Sequence, residues 1–343
     1  MSHRREERGN ARPDDHRPQA GGPDGPTDLP APSWWASLRR TITEFRGDNL
    51  LDLAAGLTYY AVLAVFPALL VLISLLGMAG QDSTAVITEN VSRFAPEETA
   101  QILTSAIENL QRSQATASLF GLVSLLLALW SASGYVAAFM RASNIVYDIP
   151  EGRPIWKTLP IRVGVTLTLV VLLTASVVMV VITGGLADRV GRLLGIGSVA
   201  VTVWDIAKWP VLLLIVTFMI GLLYWASPNA KRGFRWVSPG SVLAILIWLV
   251  ASAGFAFYVA NFGSYNKTYG SLAAVVIFLI WLWISNIAIL LGEEFNAEIE
   301  RGRAIAAGHP SPEEPYVELR DEPKEKKPGK ASRRFPWLHA KKK

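Results

Sequence analysis

The chain has 343 residues and a formal net charge of +5, and 51% of its residues are hydrophobic but only 18% are charged. Soluble proteins carry about 25% charged residues. Here 27 of the 61 Asp, Glu, Lys and Arg residues fall in residues 1–33 and 304–343, so the 270 residues between them hold only 34 and have the composition of a membrane protein and not of a cytosolic enzyme. With no cysteine, disulfides, thiolate metal sites and cysteine nucleophiles are excluded.

The first predicted element is a disordered cytoplasmic tail, residues 1–33. Its interspersed Arg, Asp, Pro and Gly residues cannot bury enough apolar surface to offset the entropy of ordering. We expect a membrane domain over residues 34–303 and a second disordered cytoplasmic tail over residues 304–343. The second tail holds ten Lys or Arg against six Asp or Glu and ends in a basic run.

Six uncharged apolar stretches follow the first tail, and each is long enough to cross a bilayer, which takes about 20 helical residues. They are residues 53–76, 118–140, 163–186, 209–227, 242–262 and 271–291. Because apolar and polar residues do not alternate along them, helices are favoured over an outer-membrane barrel. The sequence therefore predicts an all-α, polytopic membrane protein with about six transmembrane helices.

The cations of the connecting segments predict the orientation. The side that holds both termini has twelve: Arg39, Arg40, Arg46, Arg141, Arg153, Lys157, Arg162, Lys231, Arg232, Arg235, Arg301 and Arg303. The other side has six: Arg93, Arg112, Arg189, Arg192, Lys208 and Lys267. Both termini should therefore be cytoplasmic. In the long outer loop, apolar residues at helical spacing predict an amphipathic helix on the outer face, over residues 97–113.

A few polar, small or helix-breaking residues interrupt the first two spans and are candidates for a pathway or a gate. In span one they include Tyr59, Tyr60 and Pro67, and Pro67 predicts a kink because it removes a backbone hydrogen bond. In span two, Ser131 and Gly134 allow close approach of another helix. For each of these residues a purely structural packing role is the alternative.

A second candidate group lies at the cytoplasmic boundary, where polar residues follow spans two, four and six: Arg141, Asn144, Tyr147, Pro228, Asn229, Glu293, Glu294 and Asn296. Arg141 could pair with Asp148, or these residues could anchor the interface. Glu293 and Glu294 lie at a helix C-terminus, where the macrodipole disfavours acids. We expect Lys231, Arg232 or Arg235 to hold them in a structural clamp, with a cation-coupling site as the alternative.

The densest polar segment is the hairpin of residues 258–270, which joins spans five and six at the outer surface. Its candidate residues for substrate contact or gating are Tyr258, Asn261, Tyr265, Asn266, Lys267, Tyr269 and Gly270. Tyrosine faces and asparagine amides offer stacking and hydrogen bonds, and Lys267 is a cation for an anionic group. The alternative is a turn whose polar residues satisfy its own backbone and anchor it at the interface.

Patterns typical of enzymes are missing from the membrane domain. The sequence has no GxxxxGK[ST] phosphate loop and no HExxH motif, and its histidines are His3, His16, His309 and His339, all in the tails. No carboxylate pair occupies the predicted spans, as a proton relay would need. We therefore expect no enzymatic activity, no catalytic residue, no metal and no cofactor.

Across the spans, the boundary residues and the hairpin described above, the sequence resembles the YihY/virulence factor BrkB family of bacterial inner-membrane proteins. This family also carries the old label ribonuclease BN. The similarity covers about residues 35–303 and rests on residues 54–60, 66–67, 131–134, 144–147, 224–229, 239–240, 258–270 and 291–296. Residues 226–229 depart slightly from the family, which often has Leu-Pro-Asn there. The resemblance implies a six-helix inner-membrane protein that supports envelope integrity, and suggests export of lipid-like or other envelope cargo.

The sequence thus supports three hypotheses of unequal weight. The first is a multi-pass transporter or exporter of lipid-like cargo in the bacterial plasma (inner) membrane. The second is a non-transporting scaffold for envelope partners. A ribonuclease is the third, and the lack of histidines in the membrane domain argues against zinc-dependent cleavage. The expected partners are the bilayer, its anionic lipids through the basic C-terminal tail, and lipid-like cargo, but not nucleic acid; the sequence leaves the oligomeric state open.

Overall fold

A computed structural model describes residues 31–78, 117–181, 198–261, 271–311 and 313–323. Within these ranges the chain forms seven α-helices and no strand. They are α1 Ala31–Gly47, α2 Leu50–Met78, α3 Ala117–Val146, α4 Ile155–Val181, α5 Ser198–Ala226, α6 Pro239–Asn261 and α7 Ser271–Ala306. The predicted all-α class is therefore confirmed.

Four helices in the described ranges are long and apolar enough to cross a membrane. These spans are Ile155–Val180, Val201–Ala226, Pro239–Ala260 and Val275–Ala306. Helix α2 adds a shorter apolar stretch, Leu50–Ala64, which is the part of that helix whose side chains are described. The count of six spans and the orientation of the termini stay predictions. The predicted outer-face helix at residues 97–113 lies outside the described residues, as does the first tail apart from the beginning of α1.

The helices pack around α7, which contacts α1, α2, α3 and α6. The buried core contains Leu57 of α2, Phe139 of α3 and Leu290 of α7. The ring of Phe139 lies between the rings of Tyr135 and Tyr224, with both centroids 6.4 Å away. Other large apolar side chains point outward, among them Val171, Leu213 and Val250. An outward apolar surface on long helices is what contact with lipid tails requires.

Polar segments gather at one end of the bundle, which we name the charged end. It contains α1, the turns after α3 and α5, the C-terminal part of α7 and residues 313–323. Helix α1 was not predicted from the sequence. Its Ser37 and Thr41 are buried, the Ser37 hydroxyl donates to the Glu298 carbonyl at 3.0 Å, and Arg40 forms an ion pair with Glu298. Helix α1 is therefore fastened to α7 by polar contacts.

The segment of residues 313–323 packs on the turns that follow α3 and α5, although the sequence predicted a disordered tail there. Leu319 pairs with Ala230 in an antiparallel bridge, and the Arg320 guanidinium donates to the Ala230 and Trp225 carbonyls at 2.8 and 2.5 Å. The Asn229 side-chain amide donates to the Asp321 carbonyl at 2.8 Å, and the Asp321 backbone N–H donates to Asn229 Oδ1 at 3.2 Å. Composition missed this order because much of the segment is held by backbone pairing and by side-chain contacts with distant residues, while only Val317 and Leu319 pack against the apolar core.

Candidate functional site

A partly open cavity of about 400 Å³ lies between helices α2 to α7. Its wall is mostly aliphatic, with Ala61, Val136, Leu169, Val216 and Ile245 among the lining residues. Because the wall comes from six helices, the cavity lies inside the part of the bundle that the membrane would surround. This volume falls within the usual range of small-molecule pockets, about 300–1,000 Å³.

Polar groups on the cavity wall bond to one another. The Tyr135 hydroxyl donates to Asn286 Oδ1 at 2.9 Å, and Asn286 Nδ2 donates to the Thr58 hydroxyl at 3.1 Å. The Trp248 indole donates to the Ser285 hydroxyl at 3.0 Å. Since these groups already have partners in the wall, an occupant need not supply polar atoms. The cavity therefore suits a hydrocarbon group better than a sugar or an ion.

None of Tyr135, Asn286, Trp248 and Ser285 was predicted from the sequence to be a site residue. Asn286 carried a signal that could have been used, because a lone amide inside an apolar span is costly unless it has a partner. The partner itself could not be found from the sequence, since Tyr135 lies 151 positions away on another helix.

Four candidate residues of the first two spans, Tyr59, Tyr60, Ser131 and Gly134, lie where α2 and α3 pack together and are not among the described residues that line the cavity. Tyr59 is 62% exposed and meets the Tyr60 ring edge-on, with 5.4 Å between centroids. The Tyr60 ring covers Gly134, and the Ser131 hydroxyl donates to the Leu63 carbonyl at 3.3 Å. This geometry favours the packing alternative for Tyr60, Ser131 and Gly134.

The outer hairpin is only partly described. Tyr258 is about half exposed on α6, and Asn261 is the last residue of that helix. Residues 262–270, which include Tyr265, Asn266, Lys267, Tyr269 and Gly270, lie outside the described residues. Pro67 lies within α2. A role for the hairpin or for Pro67 in a pathway stays a prediction.

Several boundary residues form a hydrogen-bonded knot at the charged end. Arg153, almost fully buried, donates to the carbonyls of Ala226, Ser227 and Pro228 at 3.3, 2.7 and 3.4 Å. These carbonyls lie at the C-terminus of α5, where a cation favourably meets the helix dipole. Asn144 also belongs to the knot, because its Nδ2 donates to the Glu151 carboxylate at 2.9 Å and its Oδ1 accepts the Asn229 N–H at 2.8 Å. Pro228 is fully buried beside it.

The electrostatics of the knot favour an ionised Glu151. Burial acts to raise the pKa of Glu151, but hydrogen bonds from Arg153 outweigh burial and lower the pKa. Arg141 lies outside the knot. It donates to its own helix at the Ala137 carbonyl, 3.1 Å away, and forms no ion pair with Asp148, so the proposed pairing is wrong.

Arg232 is anchored beside the knot. Its guanidinium carbon lies 4.5 Å from the centroid of the Tyr147 ring, it donates to the Tyr147 hydroxyl and the Tyr224 carbonyl, and it pairs with Glu300 at 3.3 Å. Burial raises the pKa of Tyr147 well above its ordinary value, so its hydroxyl stays protonated. Asn296 fixes the neighbouring helix start, because its Oδ1 accepts the Gly240 N–H at 2.8 Å.

Glu293 and Glu294 are buried on α7 without the clamp expected from the sequence. Neither forms an ion pair with any residue that the structure describes; Arg232 pairs with Glu300, and Arg40 and Arg301 pair with Glu298. Both carboxylate oxygens of Glu293 lack a hydrogen-bond partner in the described part of the chain, as does Oε2 of Glu294. Isolated buried carboxylates are costly when ionised, so this pair is the least satisfied part of the charged end.

Asp48, in the turn between α1 and α2, belongs to the same acidic neighbourhood. Burial and the nearby carboxylates of Asp148 and Glu44 raise the pKa of Asp48 from 3.8 to about 7. No three acidic or histidine side chains in the described ranges are arranged to hold a metal ion.

Comparison with known proteins gives one family and a set of membrane proteins. A family model described as "Virulence factor BrkB" matches residues 41–316. A "Putative ribonuclease-like protein YfkH" of Bacillus subtilis is 28% identical over 261 residues, which are 75% of this chain and 92% of that relative. A "UPF0761 membrane protein" of Alkalilimnicola ehrlichii is 30% identical over 280 residues, 77% of this chain.

The relatives differ in length. The match covers only 59% of the Alkalilimnicola protein, but 89% of a UPF0761 membrane protein of Mannheimia succiniciproducens that is 24% identical over 279 residues. No solved structure matches the chain.

Proposed function

Because the chain belongs to the virulence factor BrkB family of integral membrane proteins, we propose that it transports or exports lipid-like or envelope-related cargo and so supports envelope integrity. The cargo passes through the cavity that helices α2 to α7 line. The protein resides in the bacterial plasma (inner) membrane with six transmembrane helices and both termini in the cytoplasm.

The observation that carries this proposal is the cavity itself. A bundle that only organises partners needs no internal space, since protein interiors pack closely and a void costs stability. A space of about 400 Å³ with a largely aliphatic wall suits an acyl chain. A largely aliphatic wall whose polar groups bond to one another argues for amphiphilic cargo whose apolar part enters the bundle.

Reconstitution in liposomes tests transport. The purified protein is incorporated, and translocation of fluorescent phospholipid and envelope precursors is followed with and without imposed ion gradients. We expect Val216→Trp, which fills the cavity from α5, to lower the rate by about tenfold or more. Val211→Trp places the same side chain on the outward face of the same helix and should leave the rate unchanged. Rates equal to those of empty vesicles for all cargoes would refute transport.

The second candidate function is a non-transporting scaffold, favoured by the rigid knot and the docked segment at the charged end. Tyr265→Ala, Asn266→Ala and Lys267→Ala in the outer hairpin separate the two candidates. If function is lost while protein level and partner capture stay normal, transport is favoured. If function is lost only together with partner capture, the scaffold is favoured.

The Bacillus relative is named as ribonuclease-like, which raises nuclease activity as an alternative. We propose instead that this chain is not an enzyme. Incubating the purified protein with labelled RNA in the presence of Mg²⁺, Mn²⁺ or Zn²⁺ tests this directly. A chain without residues 1–30 and 324–343, and with His309→Ala, retains no histidine. Cleavage by that chain would establish a nuclease.

We further propose that the basic residues after 323 attract anionic lipids.

A further inference from the structure

A second cavity, of about 300 Å³, opens at the charged end between the C-terminus of α5, the loop of residues 227–238 and the last turns of α7. We name it the basic pocket. Its charged lining residues are Lys231, Arg232, Arg235, Arg303 and one acid, Glu300. The geometry points to a binding site for the phosphate of an anionic phospholipid headgroup. This inference goes beyond transport, because a scaffold would hold such a lipid equally well.

The charges in the basic pocket are arranged for an anion. Arg232 is fixed by Tyr147, by the Tyr224 carbonyl and by Glu300, and its buried Nε has no hydrogen-bond partner in the described part of the chain. Glu300 therefore neutralises the arginine that is already anchored. Arg235 is exposed and forms no ion pair with any residue that the structure describes. Lys231 pairs with Glu318, but both side chains are more than half exposed, so the pair is weak.

The start of α6 adds to the positive potential. Ser238 and Pro239 line the basic pocket, and the helix that begins at Pro239 directs its positive dipole end toward it. The loop that carries the cations is held firmly, because the Trp236 carbonyl packs against Gly221 so closely that an added Cβ there would lie 2.6 Å from the oxygen. Basic pockets between helices on the cytoplasmic side are a known means of binding anionic headgroups.

The rim of the basic pocket identifies a lipid as the source of the phosphate. Phe234, Trp236 and Val237 are exposed beside the cations, at the level where α5 ends and α6 begins. The Phe234 ring packs edge-on against Trp225, with 5.4 Å between centroids. Exposed aromatic side chains at the ends of spans lie at the headgroup level of a bilayer. A headgroup in the basic pocket would thus leave its acyl chains against this apolar rim, whereas a soluble phosphate would leave the rim unused.

Lipid retention and thermal stabilisation of the purified full-length protein test the inference. Phosphatidylglycerol is compared with phosphatidylcholine in mixed micelles, and inorganic phosphate is added alone in a third arm. We expect phosphatidylglycerol to be retained preferentially and to raise the melting temperature, and inorganic phosphate to have no such effect. Arg235→Gln and Arg303→Gln should each weaken retention by about fivefold, since a basic residue near anionic lipid contributes about that factor.

The matched control is Arg39→Gln with Arg46→Gln, which removes two exposed arginines of α1 at the same end of the bundle and outside the basic pocket. This variant should retain phosphatidylglycerol like the unaltered protein. A loss in the control as large as in the combined Arg235→Gln and Arg303→Gln variant would mean general charge attraction and would overturn the site. Stabilisation by inorganic phosphate alone would overturn the assignment to lipid, and unchanged retention after Arg235→Gln and Arg303→Gln would overturn both.

Discussion

Gly240 and Gly292 bring α6 and α7 into direct backbone contact. A Cβ added to Gly292 would lie 2.3 Å from the Gly240 carbonyl oxygen, and one added to Gly240 would lie 1.9 Å from the Gly292 carbonyl oxygen. The Tyr224 hydroxyl closes the crossing by donating to the Ile289 carbonyl at 2.5 Å. Small residues that allow such approach are the usual means of packing helices in membranes.

Gly292→Ala should therefore destabilise the bundle by about 3 kcal/mol, because the obstructing atoms are backbone and the helices must move apart. Gly254→Ala is the control, since nothing lies within 4 Å of a Cβ built there on α6. Thermal unfolding in detergent measures both. Equal melting temperatures for the two variants would show that the crossing is looser than described.

Arg153→Gln should cost about 3 kcal/mol of stability, because it leaves Glu151 and the last carbonyls of α5 without their charged partner. Lys157→Gln removes a cation from the neighbouring ion pair with Asp321, 2.5 Å long, but should cost less than about 1 kcal/mol. The difference follows from burial, since the Arg153 side chain is 1% exposed and that of Lys157 is 51% exposed. Urea unfolding in mild detergent compares the two, and similar losses would contradict this ranking.

Asp48 should make stability depend on pH. Its pKa is about 7 in the folded protein and 3.8 in a free side chain. Since the folded state binds the proton more tightly, stability should fall as the pH rises from about 4 to 7 and stay low above 7. At pH 8, the free energy of unfolding of the Asp48→Asn variant should exceed that of the unaltered protein by about 1 kcal/mol, after allowance for solvent screening. Near pH 4, the two free energies of unfolding should converge.

The measurement is the melting temperature between pH 4 and 8, in one detergent and at constant ionic strength. Asp52→Asn, which neutralises an exposed carboxyl at the start of α2, controls for the loss of a charge. A pH dependence that Asp48→Asn leaves unaltered would show that Asp48 is not the titrating group.

The hydrogen bond between Tyr135 and Asn286 should contribute modestly. Tyr135→Phe and Asn286→Leu, combined in a double-mutant cycle, should give a coupling of about 0.6 kcal/mol, as is typical between membrane helices. The single Asn286→Leu variant should cost more than Tyr135→Phe, because it also removes the donor to the Thr58 hydroxyl. A coupling near zero would mean that water or another group replaces the bond.

Hydropathy predicted where helices would be apolar but not where they would end. The third span was predicted to begin at residue 163, but α4 begins at Ile155, and the sixth was predicted to end at residue 291, but α7 continues to Ala306. At the charged end, the helices extend beyond their apolar segments because contacts such as the ion pair between Arg40 and Glu298 stabilise the polar turns. Hydropathy contains no term for those contacts.

The candidate site was harder to predict than the fold. Sequence patterns selected conspicuous polar clusters, and Asn144, Asn229 and Tyr147 do lie together at the charged end. The cavity, by contrast, is defined by aliphatic residues that look alike in sequence, and by polar pairs such as Tyr135 and Asn286 from distant helices. Likewise, Arg232 paired with Glu300 and not with Glu293 because of its anchoring by Tyr147, which is a three-dimensional relationship.

The docked segment also has a consequence for the order of assembly. Arg320 leaves the ribosome after every helix of the bundle, and its acceptors at Trp225 and Ala230 exist only once α5 and the following loop have reached their final places. Docking of residues 317–321 must therefore be among the last events of biogenesis. Resistance of this segment to an added protease would therefore report that α5 and the following loop have reached their final places.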